Sequence, residues 1–149
     1  MATEVVFNHV GLCVRNPQAA RDFYEHVLGF EFWWELEPPD AGTDRLLRLE
    51  PPIGLRATYL VRDGLVLELL SYARRQPTDA PDRVMDQIGL THISLSVPDL
   101  SAALELVPQF GGAVLDDTVS ERSAMVHDPD GQLLELLTLE WLKALPPRP

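Results

Sequence analysis

The chain has 149 residues, 46% of them apolar, enough for one compact domain with a core that needs no staples. Its 23 acidic residues outnumber 12 lysines and arginines, and the net charge of −11 leaves no field to neutralise a phosphate backbone, which argues against nucleic acid as a partner. No apolar run reaches the roughly 18 to 20 residues that span a bilayer, and a single cysteine, Cys13, excludes an intrachain disulfide and fits a reducing compartment, so the expected location is cytoplasmic.

In His9-Val10-Gly11-Leu12-Cys13-Val14 the large aliphatics alternate, which predicts a strand with His9 and Cys13 on its polar face. Cys13 thereby becomes a candidate cavity-lining, substrate-binding residue. Pro17 to Leu28 carries Ala20, Phe23, Tyr24, Val27 and Leu28 at helical spacing, with Gly29 as the stop. His26 in this helix reads as a surface residue. Trp33 and Trp34 follow, and alternation on a strand sends one inward and one outward, making Trp33 a candidate wall for an apolar substrate.

Glu35 to Gly54 holds Pro38-Pro39, Pro51-Pro52 and Gly42 and reads as an irregular excursion, a candidate lid. Ala57 to Val61 and Leu65 to Tyr72 are predicted strands about an Asp63-Gly64 turn. Arg45, Arg48, Arg56, Arg62, Arg74, Arg75 and Arg83 gather in the middle third as a candidate cationic rim for a small anionic substrate. Arg74 to Gln87, with Pro77 and Pro81, is a connecting loop.

At His92 the pattern starts again. His92-Ile93-Ser94-Leu95-Ser96-Val97 repeats the first strand, Leu100 to Val107 the helix, and Gly112 takes the place of Gly29, where a residue tolerant of positive φ is expected. Ser123 to His127 and Gln132 to Leu139 are predicted strands around Asp130-Gly131. In both halves a glutamate comes four residues after the turn glycine: Glu68 and Glu135. His127, in the strand next to Glu135, is a candidate substrate contact. Leu139, Trp141, Leu142 and Leu145 give a short C-terminal helix an apolar face, and Pro146, Pro147 and Pro149 close the chain as an extended tail. The 1–149 chain is expected to be a single domain: modules at about 5–73 and 90–139, a linker at about 74–89, and a helix and tail at 140–149.

A glutamate inside Leu65-Val66-Leu67-Glu68-Leu69-Leu70 is an anomaly, because burying an unpaired carboxylate costs several kcal/mol. The anomaly recurs at the equivalent position in Leu133-Leu134-Glu135-Leu136-Leu137. A divalent cation bound by His9, Glu68, His92 and Glu135 resolves both at once. Two imidazoles and two carboxylates without a thiolate suit Ni, Co, Mn, Fe or Zn in a site with open positions for a substrate.

Asn8-His9-Val10, Thr91-His92-Ile93, the run Ala20-Arg21-Asp22-Phe23-Tyr24-Glu25-His26-Val27-Leu28-Gly29-Phe30 and Asp128-Pro129-Asp130-Gly131-Gln132-Leu133-Leu134-Glu135-Leu136 together resemble the vicinal oxygen chelate superfamily. The resemblance implies an α+β fold in which two βαβββ modules form a cupped, mostly antiparallel eight-stranded sheet around a metal site. It also implies a homodimer acting on a small-molecule substrate. Complete two-His, two-Glu ligation is the pattern of bacterial glyoxalase I, which implies an isomerase, epimerase or lyase that moves a proton through an enediolate or enolate with Glu68 and Glu135 as catalytic carboxylates. The alternatives within the superfamily are an Fe(II) extradiol dioxygenase, where the position of Glu68 is not normally a ligand, and a non-enzymatic antibiotic-binding resistance protein, which usually lacks the ligands.

Overall fold

The computed structural model describes residues 4–80 and 84–147; Pro81 and Arg83 of the connecting loop and Pro149 of the tail lie outside them. The elements are β1 (Val10–Cys13), α1 (Pro17–His26), β2 (Glu31–Leu36), α2 (Asp40–Leu47), β3 (Leu55–Arg62), β4 (Leu65–Tyr72), β5 (Ile93–Val97), α3 (Leu100–Gln109), β6 (Ala113–Val114), β7 (Ser123–His127), β8 (Leu133–Thr138) and α4 (Leu139–Ala144). The eight strands form two four-stranded sheets, ordered β1-β4-β3-β2 and β5-β8-β7-β6. In each, the first strand runs parallel to the last and the other pairs are antiparallel, so the βαβββ repeat read from the sequence is the repeat of the fold. No helix among the described residues is long and apolar enough to cross a membrane.

Strand alternation builds both cores. Leu67 and Leu69 are fully buried on one face of β4 with Leu60 of β3, while Glu68 and Leu70 stand half-buried on the other. Leu134, Leu136, Ala124 and Val126 do the same in the second sheet, again opposite the glutamate. Each such leucine contributes about 1.5–3 kcal/mol of burial, so the register that points the leucines inward also fixes where Glu68 and Glu135 point.

The chain divides into two compact units, Met1–Arg21 with Phe30–Thr78, and Asp22–Gly29 with Asp79–Pro149. The second half of α1 therefore belongs with the second sheet. Buried Tyr24 donates a hydrogen bond to Asp128 at 3.0 Å. Asp128 also accepts from the backbone N–H of Asp130 and Gln132 and so shapes the β7–β8 connection. Burial pushes the Asp128 carboxyl above its ordinary value, the three hydrogen bonds opposing it, and burial beside Asp128 raises the Tyr24 phenol.

Three local expectations change. The excursion after Glu35 is partly regular: β2 runs to Leu36, and α2 follows, interrupted by non-helical backbone at Ala41 and Gly42. Its ends are tied, since the Asp40 carboxylate accepts from the N–H groups of Ile53 and Gly54, both at 3.0 Å. The positive φ expected at Gly112 falls on Gly111 instead. Gly112 is needed for close approach, because a Cβ there would meet the His127 carbonyl and the Phe23 ring at 2.6 Å. The third change concerns the tryptophans and belongs to the site.

Candidate metal centre

His9 immediately precedes β1, and Glu68 sits mid-way along β4, the strand parallel to it. Their side chains meet, with His9 Nε2 3.0 Å from Glu68 Oε2. The other imidazole nitrogen, Nδ1, is 2.6 Å from Asn8 Oδ1. An amide oxygen only accepts, so Nδ1 donates to it and Nε2 is the nitrogen turned towards the carboxylate. A lone pair and a carboxylate oxygen 3.0 Å apart repel unless a proton or a cation lies between them. The far carboxylate oxygen, Oε1, accepts from the Tyr59 hydroxyl. Burial, then this bond and the Glu68 charge, push the Tyr59 phenol up to about 12.

The second unit repeats the arrangement. His92 Nε2 lies 3.6 Å from Glu135 Oε2, and Thr91 Oγ1 hydrogen-bonds His92 Nδ1 at 2.9 Å. Here the hydroxyl that holds the glutamate comes from Ser94, which donates to Glu135 Oε2 at 2.6 Å. Each unit thus offers one imidazole nitrogen and one carboxylate, each with its own supporting hydrogen bond, which is how protein ligands to divalent ions are commonly oriented. Among the described residues, no group of three or more His, Cys, Asp or Glu side chains converges. The structure presents the four sequence candidates as two pairs, and the donor chemistry of each pair fits a divalent ion.

The remaining candidates are placed as follows. Cys13 is exposed and lies on the Glu68 face of the first sheet, by alternation from Gly11, which is registered with Glu68. Its neighbour there is Tyr72, whose phenol is raised first by burial and then by the charges of Cys13 and Glu68. His127 is half-buried on the Glu135 face of β7, two residues from Met125, which is registered with Glu135. His26 is exposed and stacks on Phe110 with ring centroids 4.8 Å apart. Of the arginine rim, Arg56 pairs with Glu37, Arg75 donates to the Glu50 carbonyl and Arg62 pairs with Asp63. A cavity of about 650 Å³ at one end of the first sheet is lined by Arg15, Arg56 and Arg74 together with Glu37 and Asp40, and includes neither His9 nor Glu68.

Trp33 and Trp34 do not divide inward and outward. A bulge between Phe32 and Trp34 breaks the alternation and brings both indoles to one ring: Trp34 stacks on Tyr59 at 4.8 Å, and Trp33 meets it edge-on at 6.4 Å.

The sequence profile of the Glyoxalase/Bleomycin resistance protein/Dioxygenase superfamily matches residues 6–136. The chain belongs to this superfamily. Within it, the chain is 30% identical over 145 residues to a lactoylglutathione lyase of Pseudomonas aeruginosa, covering 90% of this chain and 82% of that one. Among solved structures, a glyoxalase family protein of Bacillus cereus superposes with a TM-score of 0.76 at 18% identity, over 93% of this chain and 97% of the other. The trypanothione-dependent glyoxalase I of Leishmania major gives 0.67 at 19% identity, over 91% and 88%. These two likenesses are of fold.

The supporting residues Asn8, Tyr59, Thr91 and Ser94 were not singled out by sequence reasoning. The repeat alone puts two of them within its reach. Asn8 and Thr91 are the polar residues directly before each repeated histidine.

Proposed function

We propose that this protein is a divalent-metal-dependent isomerase or lyase of the glyoxalase type. Its substrate is a small molecule with two adjacent oxygens, and the reaction moves a proton at the carbon beside a carbonyl. The observation that carries this reading is the repeated His–Glu pair, in which each imidazole is braced at Nδ1 and turns Nε2 towards a carboxylate that is itself held by a hydroxyl. The likeness to a lactoylglutathione lyase supports the same class.

His9, Glu68, His92 and Glu135 would hold the ion, Ni, Co, Mn, Fe or Zn, in a set drawn from one chain or from the two copies of a homodimer. Bound there, it supplies Lewis acidity to the two substrate oxygens. The glutamates move the proton. Tyr59 fixes Oε1 of Glu68, so Oε2, the oxygen that faces His9, is the one that would hold the ion and, when released from it, take the proton; Ser94 engages Oε2 of Glu135 and leaves Oε1. The aliphatic neighbours Val66 and Leu70 on the Glu68 face reduce competing water.

The test is exchange in D₂O with protein loaded with each of the five metals. Hemithioacetals or 2-methyl-branched acyl thioesters are expected to take up deuterium or isomerise. Oxygen uptake with a catechol would assign the dioxygenase reaction instead, and tight binding of a planar antibiotic without turnover would assign a sequestering protein. Sedimentation at micromolar concentration is expected to give a dimer.

A further inference from the structure

Across the first sheet one row of registered residues runs from the edge to the candidate ligand: Trp34 on β2, Tyr59 on β3, Glu68 on β4 and Gly11 on β1. Trp34 and Tyr59 are nearly parallel, 8° apart, at 4.8 Å. Trp33 packs edge-on against both, at 6.1 Å from Trp34 and 6.4 Å from Tyr59, and the His9 imidazole meets Tyr59 edge-on at 5.7 Å. Four rings, from two strands and the residue before β1, thus make a continuous aromatic surface that ends on a candidate metal ligand.

That surface is open. Trp33 is 58% exposed and Trp34 42%. Two half-exposed indoles on the edge strand of a sheet are an aggregation hazard, which proteins usually blunt with charge or proline. A bulge is needed to bring consecutive tryptophans to the same ring, and bulges of this kind re-aim side chains next to functional sites. One face of Trp34 is already stacked on Tyr59, so the exposed ring surface is what remains to stack on a ligand.

We propose that Trp33 and Trp34 form an aryl-binding subsite, and that the substrate carries a flat aromatic group next to the oxygens it presents at His9 and Glu68. This rests on the metal-site reading above. The tryptophans are specificity residues here, since they would touch the substrate away from its reacting carbon.

Two hydroxamate probes separate the claims, because benzohydroxamate and acetohydroxamate chelate a divalent ion through the same two oxygens and differ in a phenyl against a methyl. Titrated calorimetrically into the metal-loaded full chain, benzohydroxamate is expected to bind about tenfold or more tighter, about 1.4 kcal/mol. Trp34→Ala should bring the ratio close to one by weakening benzohydroxamate, and Trp34→Phe, which keeps a ring, should preserve most of it. Trp33→Ala, at the more exposed indole, repeats the test if Trp34→Ala does not fold. Equal affinities in the unaltered protein, or a ratio that survives both alanine substitutions, would overturn the subsite and leave the metal site standing. Binding of neither probe with any of the five metals would overturn the metal reading and the subsite with it.

Discussion

In the first module the position registered with Glu68 on β1 is Gly11 and the one on β3 is Tyr59; in the second, the matching neighbours of Glu135 are Ser94 on β5 and Met125 on β7. The hydroxyl that orients the glutamate therefore arrives from opposite sides of its strand. The repeat fixes where the carboxylate sits, through the register of the leucines that flank it, and leaves open which neighbour holds it. One hydroxyl is enough. The choice has a consequence: an aromatic holder in the first module extends into Trp34 and Trp33, whereas Met125 of the second module is followed outward by aliphatic Leu115, whose N–H bonds the Met125 carbonyl.

The largest expected effect treats the modules as equals. Glu68→Gln and Glu135→Gln should each weaken metal binding by about 100-fold or more, measured by calorimetric titration. A loss confined to one variant would break the equivalence.

Stability should differ between the modules. Asp128→Ala removes the carboxylate that accepts from the Tyr24 hydroxyl and two backbone N–H groups. It is expected to cost about 2–4 kcal/mol in urea unfolding, with Asp128→Asn within about 1 kcal/mol because the amide can still accept. Exposed Asp63 in the first module's turn should tolerate asparagine within about 0.5 kcal/mol.

Next come the hydroxyls. Tyr59→Phe and Ser94→Ala should each lower metal affinity about tenfold. A Cβ on Gly11 would stand 3.5 Å from Glu68 Oε2, an ordinary contact, so Gly11→Ser can bring the second module's solution into the first. In the Tyr59→Phe background it should restore most of the loss, and no recovery would show that the phenol does more than hold Glu68.

The smallest effect is in pH dependence. Backbone hydrogen bonds from Gly54 and Ile53 lower the Asp40 carboxyl below 3.8, so its contribution is present above that value and is lost as pH falls through the lowered one. Burial raises Asp128, so its contribution is greatest below 3.8 and is lost as pH rises through the raised value. Asp40→Asn should flatten the acid limb of a stability–pH curve, and Asp128→Asn the limb above it.

Much of this was legible in the sequence because the repeat doubles every signal. The two histidines, the two Asp-Gly pairs and the two glutamates in leucine runs align without any structure, and the βαβββ order follows from them. Tyr59 was legible as well: a two-residue turn at Asp63-Gly64, with both φ values positive, pairs Arg62 with Leu65, and counting back from there sets Tyr59 opposite Glu68. The β2 bulge was not. Alternation assumes an unbroken ladder, and nothing in Phe32-Trp33-Trp34 marks the extra residue. Nor was α2, since Gly42 and the flanking proline pairs mask a short helix, or the change of role at Gly111 and Gly112, which depends on how near the His127 carbonyl and the Phe23 ring come.

Metal content tests the central claim most directly, because two pairs that share one ion behave differently from two pairs that do not. After loading and dialysis, elemental analysis should find one divalent ion for each set of His9, Glu68, His92 and Glu135. Both His9→Ala and His92→Ala should lose it entirely, and an equimolar mixture of the two variants should regain binding if the set is drawn from two copies. No ion in the unaltered protein, or a half-complement surviving in either variant, would contradict the account.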